Sequence, residues 1–387
     1  MFKTIPSILW NDFYQFTMQN AVFQLFPNVI SRDRLITRGH KIKYDELMVG
    51  ELKRHIRNMS ELRLRAHECV FMHAQGIFPH TYLEYLNGYQ YDPTELVIQN
   101  IDGYLDIYSE GYTYSTMLWE TPILALITWL GLKYDETQQM PSQETVRKES
   151  QEKASRIKME GLKVADFGAR RALSPEIHAN VVETMKKSLV GTSNAYLAMK
   201  NGIKPIGTQA HKWYMLNAAI YGYNMANHFG LENWVKVYDG NLGIALPDTF
   251  TTPVFLEQMT TKQTKLFDGM RQDSASPTKI GESYIRHYKD HQVDPLTKTA
   301  IFSNALNLVK AVGLRDWFDG KIQTAFGMGG FLTNHLAGIK VPSTVWKLSE
   351  VMVHDKWIPV VKLSDDPGKY SGTVEEMQRC RTTLRLD

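Results

Sequence analysis

The chain has 387 residues, enough for two or three domains at roughly 150 residues each. A hydrophobic share of 43% and a charged share of 22% are those of an ordinary globular protein, which excludes a disordered, collagen-like or low-complexity chain. The formal charge of +3 is too even to imply nucleic-acid binding, and two cysteines with no CxxC argue against a disulfide scaffold or a cysteine-rich zinc site.

The opening residues lack an apolar core followed by a small-residue cleavage site. The densest apolar run, Pro122 to Leu132, rises only about 16 Å as a helix, against a hydrocarbon core of about 30 Å. A buried helix, a cytoplasmic protein and no membrane partner are expected.

From Asp12 to Phe26, the residues Phe13, Phe16, Met18, Val22, Phe23 and Phe26 recur near helical spacing, with Asp12 placed to cap the helix. Leu47 to Cys69 reads as another helix. Strand-like pieces at Leu96–Ile98 and Tyr104–Tyr108 flank Asp102-Gly103, a hairpin signal. With the apolar helix near 121–132, this first region is α+β. Lys133 to Glu160 is polar and reads as a helical connector. After it the pattern changes: LKVADFG, KPIGTQAH, LGIALPDTF, LFDGMRQDS, KTAIFSNAL and KIQTAFGMG are short apolar segments ending in small or polar residues, most with a helix to follow. That repetition predicts a parallel α/β layer, closed as a barrel rather than open, with ligands at the strand C-terminal ends. Asp366-Pro367-Gly368 marks a late turn, and the charged tail from Glu375 reads as a short helix.

The segment ends carry the candidate chemistry. In Gly207-Thr208-Gln209-Ala210-His211, Thr208 offers a hydroxyl, and His211 an imidazole for proton transfer or phosphoryl acceptance; satisfied local hydrogen bonding is the alternative. In Gly269–Ser274, Arg271 can clamp an anion, Asp273 can accept from sugar hydroxyls and Ser274 adds a small hydroxyl; the alternative is a surface ion pair. Gly327, Gly329 and Gly330 follow an apolar strand, either as an amide cradle for an anion or as a turn needing glycine torsions. Arg170 and Arg171 can address anions, or one can pair with Asp166. Gly191-Thr192-Ser193-Asn194 is a further small polar strand end. Asp248 can position water or a hydrated cation, or be a solvated loop carboxylate; Tyr14 can stack on a planar ring with its hydroxyl accessible, or simply pack. HExxH and GxSxG are absent.

Taken together, NDFYQ at 11–15, LWETPILALI at 118–127, ADFGARR at 165–171, GTSNAYLA at 191–198, GTQAHKW at 207–213, LGIALPDTF at 242–250, GMRQDS at 269–274 and KLSDDPGK at 362–369 resemble the nicotinate phosphoribosyltransferases over nearly the whole chain. The resemblance implies an irregular α/β barrel at 136–354 and an α+β domain at 1–135 completed by 355–387. It implies a homodimer with shared active sites that joins nicotinate to 5-phosphoribosyl pyrophosphate, with magnesium, and with ATP hydrolysed through phosphorylation of His211. Tyr14 would then stack on the pyridine ring across the interface. Arg38, Arg171 and Arg271 would meet substrate anions, Asp273 the ribose hydroxyls, and Gly327–Gly330 a phosphate.

Several family positions are changed. RxDSGDP stands here as Arg271-Gln272-Asp273-Ser274-Ala275-Ser276-Pro277, and FSDNLD as Phe302-Ser303-Asn304-Ala305-Leu306-Asn307. GIGT has become Gly327-Met328-Gly329-Gly330, DFGTRR has Ala169 for its threonine, and the early FRCRG-like stretch reads Leu35-Ile36-Thr37-Arg38-Gly39. Replacing aspartate by asparagine keeps size but removes the charge that favours a hydrated cation. Alongside nicotinate phosphoribosyl transfer stand two further readings: a family member with another planar acceptor or donor, and a binding or regulatory homologue without turnover.

Overall fold

The computed structural model describes residues 4–38, 42–335 and 339–386, so Gly39 lies outside the described residues. Its strands, in chain order, are β1 (Ile30–Arg38), β2 (Leu96–Ile101), β3 (Tyr104–Tyr112), β4 (Val164–Asp166), β5 (Gly191–Thr192), β6 (Ile244–Ala245), β7 (Gly269–Gln272), β8 (Thr299–Phe302), β9 (Gln323–Met328), β10 (Ser343–Val353) and β11 (Lys356–Pro359). They form two sheets. One is antiparallel, in the order β11-β10-β1-β3-β2; the other is parallel, in the order β5-β4-β9-β8-β7-β6.

The parallel sheet curls into a barrel. Beyond β5, Thr192 bridges in parallel to Pro205, and the Thr208 hydroxyl donates to the Ile244 carbonyl of β6 at 2.8 Å, spanning the remaining gap. Val164, Met270, Ala300, Phe302, Phe326 and Met328 belong to one continuous buried core, where Phe302 stacks on Phe318 of the helix Leu308–Phe318. The strands are short because each is followed at once by a turn that enters a helix, as the segment grammar predicts.

The antiparallel sheet departs from expectation in two ways. β1 was not legible as a strand, because in ISRDRLITR the cations Arg32 and Arg34 alternate with Ser31, Asp33 and Leu35, a buried face that is mostly polar. In the structure those cations reach across to neighbouring strands: Arg32 to Glu110 and Glu350, Arg34 to Asp106. In addition, β10 pairs along the whole of β1, so this sheet takes in the chain from Ser343, ahead of the expected return at 355. The hairpin at Asp102-Gly103 is as expected: both residues have positive φ, 53° and 88°, the geometry of a two-residue turn that follows sheet twist.

Helices Phe13–Leu25 and Glu120–Lys133 are buried on nearly every side. The helix expected over 47–69 is two helices, Glu46–Met59 and Ala66–His73, separated where Glu68 caps the backbone amide of Arg65 at 2.8 Å. The polar connector forms the helix Gln143–Met159, which buries only Val146, Ser150, Ala154 and Ile157, a narrow stripe at helical spacing. The tail forms the helix Val374–Thr383. No helix among the described residues is long and apolar enough to cross a membrane.

Candidate active site

The C-terminal ends of the parallel strands share one rim of the barrel, and the candidate residues gather there. His211 opens the helix His211–Tyr221 and is buried. Its Nδ1 lies 3.1 Å from Thr249 Oγ1, and its Nε2 lies 3.2 Å from Asp273 Oδ2 and 3.8 Å from Asp248 Oδ1. Burial, followed by the nearby Lys362 ammonium, lowers the imidazole to about 3, so it is neutral around pH 7. Burial opposes the charge on Asp273, but Arg271 and the bond to His211 outweigh it and hold that carboxyl well below its ordinary value. An ionised carboxylate only accepts, so His211 Nε2 carries the hydrogen and Nδ1 the lone pair.

Asp273 and Ser274 form the hub of this rim. Asp273 Oδ1 accepts from Ser303 at 3.0 Å, and its carbonyl accepts from Lys369 Nζ at 2.9 Å. Ser274 donates to Asp248 Oδ2 at 2.6 Å and accepts from the Asp365 amide at 3.2 Å. Asp248 is buried rather than a solvated loop carboxylate, with Lys362 Nζ 3.3 Å from it. Arg271 is half-buried, and its Nε has no partner. Lys347 of β10 lies among Lys362, Glu120, Arg170 and Arg38; burial and then Lys362 lower its ammonium to about 7.

A second group of candidate residues follows β4. Arg170 does not pair with Asp166. It reaches Asp12 at 3.0 Å and Glu120 at 3.3 Å, and its guanidinium lies 5.6 Å from the centre of the Tyr14 ring. Asp166 is instead held by His178 at 2.7 Å, Thr192 at 2.6 Å and the Gly168 amide at 2.8 Å. Arg171 is exposed, and partial desolvation, then Arg170 and Arg38, lower it to about 10. Arg38 ends β1 and donates to the carbonyls of Lys369 and Tyr370, at 3.3 and 2.9 Å.

Several expectations are corrected here. The Tyr14 hydroxyl is not accessible: the residue is buried and donates to Glu120 at 3.0 Å. Asp12 makes no side-chain cap; its carboxylate serves Arg170 and Ser193. Thr208 is committed to β6, as described above. Among the turn glycines, Gly327, Gly329 and Gly330 have no positive φ. They are required by close packing, since a Cβ on Gly327 would sit 2.2 Å from the Phe167 ring, on Gly329 2.9 Å from the Phe167 carbonyl oxygen and on Gly330 2.8 Å from Asn334. The changed residues have partners of their own. Asn307 caps the helix Leu308–Phe318, and Asn304 Oδ1 accepts from Lys369 at 2.7 Å.

Lys362, Lys369, Thr249 and Ser303 were missed as site residues. The two lysines flank the SDDPG turn within KLSDDPGK, and that spacing was the available signal. The segment carrying them is strapped to the rim where the amides of Leu363 and Ser364 donate to the Thr249 carbonyl.

Comparison with known proteins agrees with this layout. The model of the nicotinate phosphoribosyltransferase (NAPRTase) family matches residues 162–387, and the model of its N-terminal domain matches residues 9–128. This chain belongs to the nicotinate phosphoribosyltransferase family. It is 37% identical over 390 residues to the nicotinate phosphoribosyltransferase of Chromohalobacter salexigens, covering 99% of each chain. It is 38% identical over 391 residues to that of Methanosarcina mazei, covering 95% of each. The crystal structure of the Porphyromonas gingivalis nicotinate phosphoribosyltransferase superposes with a TM-score of 0.94 at 36% identity, covering 98% of this chain and 99% of that one.

Among the described residues, His211, Asp248 and Asp273 place their ligand atoms within 4.8 Å of one another, and Asp248 Oδ1 is a buried acceptor without a donor. Magnesium takes one or two carboxylates plus waters and phosphates, and the two aspartates fit that pattern. Arg271, Lys362 and Lys369 offset their charge, so the cluster suits a cation arriving with phosphates better than a bare ion.

Proposed function

We propose that this protein is a nicotinate phosphoribosyltransferase, joining the ring nitrogen of nicotinate to C1 of 5-phosphoribosyl pyrophosphate and releasing pyrophosphate. The observation that carries this reading is the meeting of His211, Asp248, Asp273 and Arg271 with Lys362 and Lys369 at one barrel rim. Two carboxylates beneath a ring of cations match a ligand with both vicinal hydroxyls and phosphates.

In this reading Asp273 accepts from ribose hydroxyls, and its negative charge favours the positive charge that grows on the sugar as the glycosidic bond breaks. Arg271, Arg171 and Arg38 hold anionic groups. Asp248 and Asp273 would hold magnesium together with the diphosphate, where it neutralises the leaving group. His211, neutral and with Nδ1 unprotonated, takes the γ-phosphoryl of ATP while ADP departs. Holding the ring nitrogen against C1 removes the entropy of encounter. A homodimer with shared sites belongs to the same reading; Tyr14 would contribute its ring, because its hydroxyl is already committed to Glu120.

The test is direct. Purified protein with nicotinate, 5-phosphoribosyl pyrophosphate, magnesium and ATP should yield nicotinate mononucleotide by mass, with the ATP stimulation lost in His211→Ala. Turnover of a different ring or donor would move the assignment to a divergent transferase. Binding of both substrates without any product would leave a binding homologue and refute the proposal.

A further inference from the structure

The turn that carries Asp273 and Ser274 is itself held in an unfavourable backbone conformation. Ala275 has φ +60°, in the left-handed region where a Cβ crowds the following carbonyl and where glycine is the usual occupant. Yet the turn anchors the site: Asp273 meets His211, and Ser274 meets Asp248. Something must keep it from relaxing.

The Gln272 side chain does this. It is buried, and its Nε2 donates to the Ser274 carbonyl at 2.8 Å and to the Ala275 carbonyl at 3.0 Å. Both amide hydrogens are spent on consecutive carbonyls of the strained turn. The amide orientation is fixed by chemistry, because the flipped form would set Oε1 against two carbonyl oxygens. The main-chain carbonyl of Gln272 also accepts from the Ser303 amide, joining the same residue to the end of β8.

We propose that Gln272 is a positioning residue for the reaction: its amide clamps the left-handed turn at Ala275 and so fixes Asp273 against His211 and Ser274 against Asp248. The inference rests on the transferase reading for its kinetic consequence, but the clamp itself does not. A specific dependence follows. With glycine at 275 the turn adopts the same φ without strain, and the clamp becomes dispensable.

The experiment compares the full-length parent with Gln272→Met and Gln272→Met/Ala275→Gly. In steady-state assays Gln272→Met raises KM for 5-phosphoribosyl pyrophosphate by about tenfold, the size expected when a left-handed alanine relaxes, while KM for nicotinate stays within about twofold. The second substitution, Ala275→Gly, restores most of the donor KM. A merely structural residue would not show the glycine rescue.

A readout independent of turnover separates this inference from the functional one. The 15N shifts of the His211 ring report a fixed Nε2–H tautomer in the parent, a mixture in Gln272→Met, and the fixed tautomer again with glycine at 275. If the parent makes no nicotinate mononucleotide but the tautomer pattern follows this order, the functional reading fails and the clamp stands. A Gln272→Met protein with the parent's tautomer and donor KM, or a glycine at 275 that rescues neither, would overturn the clamp.

Discussion

Replacing alanine by glycine normally destabilises a protein, so the two left-handed alanines at the barrel rim give an unusual prediction. Ala275 and Ala305 have φ +60° and +47°, each just past the end of a strand. A non-glycine residue in this region costs about 1–2 kcal/mol. Glycine removes that strain but loses about 0.5–1 kcal/mol more conformational entropy on folding. Ala275→Gly and Ala305→Gly should therefore each stabilise by about 0.5–1 kcal/mol. The Ala275 carbonyl is held by Gln272 and that of Ala305 by Lys310, while Ser303 and Lys369 bond both turns, so each variant is measured alone as well as in the pair. At about 2.1 cal/mol/K of unfolding entropy per residue, a 387-residue chain gains only about 1–2 °C from both changes, so the urea midpoint is the better measurement. Ala154→Gly, within the helix Gln143–Met159, is the control and should lose about 1 kcal/mol. If the two rim variants lose stability as the control does, the strain argument is wrong at both positions.

The remaining predictions concern burial and charge. His211 is held near 3 against an ordinary 6.5, so the unfolded chain binds a proton that the native chain excludes; stability from this group is full above about 6.5 and is lost as the pH falls towards 3. His211→Gln should flatten the acid limb of stability against pH by about one proton, or about 1.4 kcal/mol per pH unit between pH 6 and 4, and an unchanged limb would contradict the burial reading. Lys212 and Asp33 form a buried ion pair at 2.6 Å joining the His211 helix to β1; Lys212→Met should cost about 3–5 kcal/mol in urea unfolding, and adding Asp33→Leu should return most of it. Gly327→Ala forces a Cβ onto the Phe167 ring and should cost about 1–3 kcal/mol, partly recovered by Phe167→Ala. Asn307→Asp keeps the helix cap and adds charge at a helix N-terminus, so it should stabilise by about 0.3–1 kcal/mol and leave donor KM unchanged, as measured by calorimetry and steady-state kinetics.

The parallel barrel was legible because its signals are local. Each strand ends within a few residues of its glycine or polar turn, and Asp102-Gly103 announced its hairpin by the same chemistry. The antiparallel sheet was less so. β1 hides its alternation because Arg32 and Arg34 owe their places to Glu110, Glu350 and Asp106, residues far along the chain. Pairing of β1 with β10 joins residues near 30 to residues near 350, and nothing in either segment names the other. Non-local pairing of this kind is set by the fold as a whole.

The same division runs through the site. His211, Arg271 and Asp273 were candidates because they stand at strand ends, and the family resemblance rather than their spacing gave them their roles. Their working state was not legible: a histidine with an ordinary value of 6.5 stays neutral well into acid because the fold buries it and, second, sets a lysine from the far end of the chain beside it. Arg170 and Arg171 are adjacent and chemically identical, yet one is consumed by Asp12 and Glu120 while the other is exposed. The altered positions make the point from the other side. Losing a glycine at 275 looked like damage to a binding loop, but the loop keeps its left-handed turn, with Gln272 next to it supplying two bonds to that turn. A substitution at a site residue is therefore weak evidence of lost activity until its neighbours' bonds are known, and here those bonds keep Asp273 facing His211.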